Sequence, residues 1–412
     1  MSSPVEAWLW EHYGAERFEP GLERVRSFLR SELAEVKKLQ QQGLKLVTIA
    51  GTNGKGETAY ALLEHARQTG TPALLWTSPH ITSVTERLQH TAGLIPEAEL
   101  QELLDGVRCD HLAAGIGLSY YEVLWVAFLR WGLRQKARVW ILEVGLGGRL
   151  DAVNLLDAQL VGLCSISRDH QEYLGPRLDG ILQEKLGVLR PGATLISALE
   201  SRYLREHCGR TARKFAVVWH DLFESKTLAP ATDFSARNRF LAAALWETLS
   251  GTAVAPIQGA LIARGERFDW QGKEYVFFGS HNPDGVRKLV QFLCSPPYNI
   301  KEELTAIWAS FSQRDLKDLH AMIKSLELLA TDESPLVITQ FDHPKAASFG
   351  EFWGYREGAR VRYVQAWRKL FEEAGPATGT ILVVGSYYFV ALLRAHLLHL
   401  GARPARPKPP VR

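Results

Sequence analysis

Cysteine is scarce in this chain of 412 residues, and the little there is stands scattered. Cys109, Cys164, Cys208 and Cys294 form no CxxC pair, so neither a zinc site nor a disulfide framework is suggested. A reducing, cytoplasmic setting is the expectation. An excess of charge of one sign is also missing: 48 basic residues face 45 acidic ones, for a net charge of +3. Nothing in that balance calls for a nucleic acid or an anionic membrane as partner. Long hydrophobic runs are lacking too. The most apolar stretch, Ile381 to Leu393, falls short of the roughly 20 residues that span a bilayer. It also contains Gly385 and Ser386, which read as a turn between a strand and a helix. The opening MSSPVEAWLWEHYG carries Glu6 and Glu11 and no basic region before an apolar run, so it does not read as a signal peptide. No repeat at solenoid spacing and no low-complexity segment interrupts the body. What is there is an ordinary composition, 46% hydrophobic and 23% charged, with apolar content for two cores. At about 100–200 residues per domain, two domains are expected.

Periodicity gives the organisation. Residues 21 to 42 have helical spacing and many charges. Lys45 to Ala50 is a β-rich run that stops at Gly51, and a helical pattern follows from Glu57 to about Gln68. Arg138 to Val144, Leu160 to Ile166, Ala193 to Ser197 and Phe215 to Trp219 read as further strands with helical patterns among them. Short buried strands alternating with helices predict a mainly parallel α/β sheet. After the charged segment Arg264 to Gly272 the alternation resumes with Tyr275 to Phe278, Leu304 to Trp308, Leu336 to Thr339 and Ile381 to Val384. The expected domains are therefore 1–265 and 266–401. The Pro-rich basic residues 402–412 read as a solvated tail.

The first chemical motif is Gly51-Thr52-Asn53-Gly54-Lys55-Gly56-Glu57-Thr58, between a strand and a helix. Triphosphate binding needs that context: glycines let backbone amides approach phosphate oxygens, and the helix N-terminus adds a positive dipole. Lys55 would bring a point charge to the β- and γ-phosphates. The bland alternative is a glycine-rich turn with one solvated lysine, since the string is not the full standard P-loop. Glu57 stands where a hydroxyl residue is expected to meet Mg2+. It could bind the metal directly or repel the phosphates, or Thr58 could supply the hydroxyl.

Three further segments place polar groups at strand ends, where ligands of open α/β sheets bind: Thr77-Ser78-Pro79-His80, Glu143 in Leu142 to Arg149, and Asp169-His170. Ser78, Glu143 and His170 together make a reasonable partial Mg2+ shell completed by phosphate and water, the imidazole being the least typical ligand. Each also has a plainer reading: a turn serine, a salt-bridged sheet-end carboxylate, and a cap or surface histidine. Lys185 reads as a solvated helix lysine unless it is buried, in which case it loses its proton more readily and becomes nucleophilic.

Taken in order, these strings resemble the Mur-ligase superfamily, and within it the folylpolyglutamate synthase/dihydrofolate synthase branch. The resemblance runs from about Gly21 to about Leu397. GTNGKG resembles the family's phosphate loop, and TSPHITSVTERL the segment bearing a metal-binding serine and an arginine. LEVGLGGRLDAVN is the most specific match; DHQEYLG, EKLGVLRPG, Asn238, Arg267, His281-Asn282-Pro283 and GSYYFVALLRAHLL follow in order. The resemblance implies a P-loop ATPase-type domain followed by a smaller Rossmann-like α/β domain. It also implies ATP and Mg2+ as cofactors. Asn53, Gly54, Lys55, Gly56, Glu57, Thr58, Asn238 and Arg267 would then contact the nucleotide. Ser78, Glu143, His170 and a carbamylated Lys185 would bind the metal. Lys55, Lys185 and His281 would serve catalysis, with His281 facing the cleft. Gly21, Leu22, Glu23, Arg24, Tyr120, Tyr121, Glu122, Leu150 and Ala152 match segments lining the pterin pocket. The chain departs from the family at Glu57, usually serine, and at Phe278, where the family has an aspartate that contacts the nucleotide.

The activity so implied is ligation of L-glutamate to dihydropteroate or a reduced folate. ATP phosphorylates the carboxylate, the amine attacks the acyl phosphate, and closure of the two domains keeps water out. The partners expected are these small molecules, with no nucleic acid, no membrane and a monomeric chain. Two other readings stay open: a Mur-type ligase with another acid, and a catalytically impaired relative that binds folate or nucleotide.

Overall fold

The computed structural model describes residues 3–16, 21–229, 232–258, 262–295, 300–348, 350, 360–372 and 378–405. The chain divides into two compact units, Met1–Ile257 and Gln258–Arg412.

The first unit is built on eight strands: β1 Lys45–Ala50, β2 Ala73–Trp76, β3 Leu88–His90, β4 Gly93–Leu94, β5 Val139–Glu143, β6 Leu160–Leu163, β7 Thr194–Ser197 and β8 Val218–Asp221. Their order is β4-β3-β2-β5-β1-β6-β7-β8. From β2 to β8 every pairing is parallel, and only β3 and β4 run against their neighbours. The helices are α1 Pro4–Tyr13, α2 Glu23–Phe28, α3 Arg30–Gln41, α4 Lys55–Gln68, α5 Glu97–Ala113, α6 Tyr120–Arg134, α7 Gln171–Leu174, α8 Leu178–Leu186, α9 Arg202–Lys214 and α10 Phe234–Ser250. The central strands β2, β5, β1, β6 and β7 are almost wholly buried because both faces are covered, whereas β4 and β8 at the edges are not. Along β1, Leu46 and Ala50 join the core with Leu124 and Phe128 of α6, while Val47 and Ile49 join Leu62 of α4 and Leu245 of α10. Trp140 and Ile141 of β5 divide in the same way.

The second unit has β9 Arg264–Trp270, β10 Lys273–Phe278, β11 Leu304–Ala309, β12 Leu336–Gln340, β13 Val361–Ala366, β14 Gly379–Val384 and β15 Arg403–Pro404, in the order β13-β12-β11-β14-β10-β9-β15. β13 through β10 are parallel, while β9 is antiparallel to β10 and β15 antiparallel to β9. Helices α11 Pro283–Leu293, α12 Leu316–Glu327, α13 Lys369–Glu372 and α14 Tyr387–His399 accompany them. The fold is thus a mainly parallel α/β sheet followed by a second α/β unit.

Several local expectations change. The charged run Arg264 to Gly272, where the boundary was expected, is β9 and the turn into β10, so it lies inside the second unit. Its charges are tolerated because the strand is only partly buried: Arg267 pairs with Glu274 at 2.7 Å. Phe215 is not in a strand but caps α9, and the chain turns through Ala216 at φ 53° before β8 starts at Val218. Residues 21 to 42 form two helices that meet at Leu29. Of the presumed tail, Arg403–Pro404 pairs with β9; residues 406–412 lie outside the described residues.

Candidate functional site

The topology explains why the motifs converge. β2, β5, β1 and β6 are adjacent and parallel, so the segments after Trp76, Glu143, Ala50 and Leu163 all leave the same edge of the sheet. Those segments contain Ser78, the Gly145–Asp151 loop, the glycine-rich loop, and Asp169-His170.

The glycine-rich loop begins at Gly51 and α4 begins at Lys55. Gly54 is required at the N-cap: its φ is +94°, and a Cβ there would lie 2.2 Å from Oδ1 of Asn238. The loop is stitched to the segment after β6. Thr52 N–H donates to Ser165 O at 2.7 Å, Asn53 Nδ2 to Ser167 Oγ at 3.3 Å, and Ser167 N–H to Thr52 Oγ1 at 3.1 Å. Lys55 Nζ donates to Thr52 O at 3.1 Å. Glu57 and Thr58, taken as nucleotide contacts from their motif, are both engaged by α10. Glu57 accepts from Ser235 and Asn238, and the Thr58 hydroxyl lies 3.4 Å from Asn238 O and 3.4 Å from Cys164 Sγ.

Glu143 ends β5 almost fully buried, and its Oε2 accepts from the Thr77 hydroxyl and from Ser78 N–H at 3.2 Å. His170 opens α7 in a left-handed conformation, 43% exposed, with Nδ1 3.7 Å from Glu172 and Nε2 4.0 Å from Asp169. Lys185 is 4% exposed on α8. Burial drives its pKa down to about 7, helped by the positive charge of Lys55 and opposed by Asp169 and Asp151. The solvated-lysine reading is therefore excluded. The loop Gly145–Leu150 reaches Lys185 through close backbone contact: a Cβ on Gly148 would sit 2.8 Å from Glu184 O and 3.0 Å from Lys185 O. Arg149 N–H donates to Glu184 O at 2.8 Å.

Asp151, missed in the sequence between Leu150 and Ala152, organises that loop. Its Oδ2 accepts from the N–H groups of Gly145 and Leu146, each at 3.0 Å. Its Oδ1 accepts from Val153 N–H at 2.9 Å and Tyr121 OH at 3.1 Å. Burial lifts its pKa to about 6 against these bonds, and burial with the Asp151 charge pushes Tyr121 well above its ordinary value. The only sequence signal was an aspartate after a glycine-rich run. Ser165 and Ser167, equally missed, had the weaker signal of two serines after a strand.

Of the remaining predicted set, Gly21, Arg24 and Glu122 are brought together. Arg24 donates NH2 to both carboxylate oxygens of Glu122 at 2.6 Å, and NH1 to Gly21 O at 3.1 Å. Glu122 also closes the capping box of α6 with Ser119. Tyr120 lies under the guanidinium of Arg87 at 5.6 Å, and Arg87 is held by Glu16 through two contacts of 2.9 Å. Arg87 Nε donates to His80 Nδ1 at 3.0 Å, so the His80 proton sits on Nε2, facing Glu6 at 2.8 Å. Ala152 is buried, Leu22 and Leu150 are half-buried, and Glu23 is exposed on α2. Arg267 and His281 belong to the second unit. His281 follows β10, with Nδ1 2.9 Å from Gly279 O and its ring 4.8 Å from Tyr387. Phe278 is 8% exposed and packs edge-on to Phe292 at 6.2 Å, so its side chain serves the core there.

Among the described residues, no group of three or more His, Cys, Asp or Glu side chains could hold a metal. The buried Glu143 carboxylate, with Ser78 bonded to it through its backbone N–H and the glycine-rich loop leaving the same sheet edge, still fits Mg2+. That hard ion takes one or two protein oxygens and fills its shell from phosphate and water. No helix among the described residues is long and apolar enough to cross a membrane.

No family model matches the sequence. The dihydrofolate synthase/folylpolyglutamate synthase of Escherichia coli is 27% identical over 420 residues, covering 95% of this chain and 94% of that protein. Its namesake in Bacillus subtilis is 26% identical over 443 residues, covering 95% and 98%. The crystal structure of the Yersinia pestis bifunctional folylpolyglutamate synthase/dihydrofolate synthase, complexed with AMPPNP and Mn ion, superposes with a TM-score of 0.79. It is 24% identical, with 96% of this chain and 98% of that one covered. Escherichia coli FolC in complex with DHPP and ADP gives a TM-score of 0.79 at 22% identity, covering 97% and 99%. The resemblance read from the motifs thus holds over nearly the whole chain.

Proposed function

From this whole-length similarity to the dihydrofolate synthase/folylpolyglutamate synthases, we propose that the chain is an ATP-dependent ligase. It joins L-glutamate to dihydropteroate, a reduced folate or both through an acyl phosphate. The observation that carries the reading is the convergence of the phosphate loop, Glu143 and the buried Lys185 at one sheet edge, in a chain that such enzymes match end to end.

Each residue has a derivable task. The amides opening α4 and the ammonium of Lys55 receive the β- and γ-phosphates. Lys55 gives up its bond to Thr52 O for them. Ser78 and Glu143 would hold Mg2+, with His170 and Lys185 assigned to the same shell from their motifs. The ion would offset charge on the transferring phosphoryl group. A neutral, buried Lys185 amine is suited to take up CO2, which would turn it into an anionic ligand. Arg24-Glu122 and Tyr121-Asp151 would fix the walls that receive the pterin ring. Arg267 and His281 are assigned on their motifs, to the nucleotide and to catalysis. The α-amine of glutamate attacks the acyl carbon, phosphate leaves, and an amide remains.

The test is ADP release by the purified protein with Mg-ATP and L-glutamate, with and without dihydropteroate or tetrahydrofolate. Release that depends on both acid and glutamate is expected. No release alongside measurable folate binding would hand the site to a binding function instead.

A further inference from the structure

A carboxylate in the first turn of a phosphate-binding helix occupies the same positive field that draws the phosphates. Glu57 has that position in α4 and is 2% exposed. Its Oε1 accepts from the Ser235 hydroxyl and lies 3.6 Å from Nε of Arg239, while its Oε2 accepts from Asn238 Nδ2 at 2.7 Å. All three partners stand in the first turns of α10. The Asn238 amide, 6% exposed, lies against the phosphate loop, so close that a Cβ on Gly54 would be 2.2 Å from its oxygen. An ionised carboxylate only accepts hydrogen bonds. It therefore selects one of the two amide orientations, with the NH2 toward Glu57 and the carbonyl oxygen toward Gly54.

We propose that Glu57 is a positioning residue of the nucleotide site. It ligates no metal; it pins α10 to α4 and orients Asn238 against the phosphate loop. This rests on the nucleotide-binding reading of that loop. The Arg239 guanidinium offsets the carboxylate charge, so the helix N-terminus keeps its pull on phosphate. The Asn238 oxygen is left as a fixed acceptor, suited to an amino or hydroxyl group of a nucleoside and unsuited to a phosphate oxygen.

Calorimetric titration with Mg-ADP tests this on the unmodified protein, Glu57→Gln, Asn238→Ala and the double variant. Each single substitution should weaken binding about tenfold, the loss expected for a hydrogen bond to a charged partner. The double variant should bind no more weakly than Asn238→Ala alone, because Glu57 acts through Asn238. The Mg2+ concentration needed for half-maximal ADP binding should not move. Ser235→Ala removes a donor to Glu57 and should weaken binding in the same direction by less, which keeps the test open if Glu57→Gln does not fold. Additive losses, unchanged affinity in the single variants, or a raised Mg2+ requirement in Glu57→Gln would each overturn the proposal. An unmodified protein that binds no Mg-ADP would overturn it together with the nucleotide site. A protein with the expected binding pattern that forms no amide would support the proposal and overturn the ligase reading alone.

Discussion

Lys185 carries an amine into the interior of the first unit, and the consequence is measurable. Its folded pKa of about 7 lies below the ordinary 10.5. Between these values the unfolded chain holds a proton that the folded chain lacks, so stability rises with pH across that window. The burial cost is full below pH 7. Lys185→Met should therefore raise the urea midpoint more at about pH 6 than at about pH 10. Equal gains at both would refute the buried-amine account. If the amine takes up CO2, ADP release should fall as the pH drops below 7 and should rise with added bicarbonate. Asp151→Asn turns an NH2 toward donors that now bond a carboxylate, and should cost about 1–3 kcal/mol by denaturant titration. The motif around Lys185 was visible in the sequence; its chemistry was not, because burial depends on how α8 meets the Gly145–Leu150 loop. Asp151 went unread because its partners are mostly backbone amides, which leave no side-chain pattern.

At the scale of elements, the strands that carry the motifs were legible, since β1, β5 and β6 are short, mostly apolar runs, buried except at Lys45. Ala73–Trp76 was not singled out: four apolar residues fit a strand or a helix fragment equally well. β9 was mistaken for a boundary because an edge-side antiparallel strand keeps its charges. The loop between β5 and Asp151 depends on a glycine at 148 for its approach to α8. Gly148→Ala should lift the loop from Glu184 and Lys185 and cost about 1–3 kcal/mol. It should also lower acid-dependent ADP release. An alanine variant with unchanged denaturation midpoint and rate would show that the contact can yield without cost.

At the scale of the whole molecule, the two units differ in what they carry. The glycine-rich loop Gly51–Thr58, Glu143 and Lys185 belong to Met1–Ile257, while Arg267 and His281 belong to Gln258–Arg412. A chain ending at Ile257 should give the circular dichroism of a folded α/β unit and bind Mg-ADP more weakly for want of Arg267, yet release no ADP in response to acid and glutamate. Full activity in that fragment would remove Arg267 and His281 from the reaction. The expectation of two units came from chain length, whereas the charged segment read as their boundary is itself β9.

The strand order of the first sheet also bears on how the protein is made. β1 lies between β5 and β6, which end only at Glu143 and Leu163, so the strand feeding the glycine-rich loop leaves the ribosome long before either flank exists. Non-local parallel pairing of this kind is slow to form. During synthesis the Lys45–Ala50 run must wait, apolar and unpaired, for its neighbours. That makes it the segment that a chaperone would be expected to shield on the nascent chain.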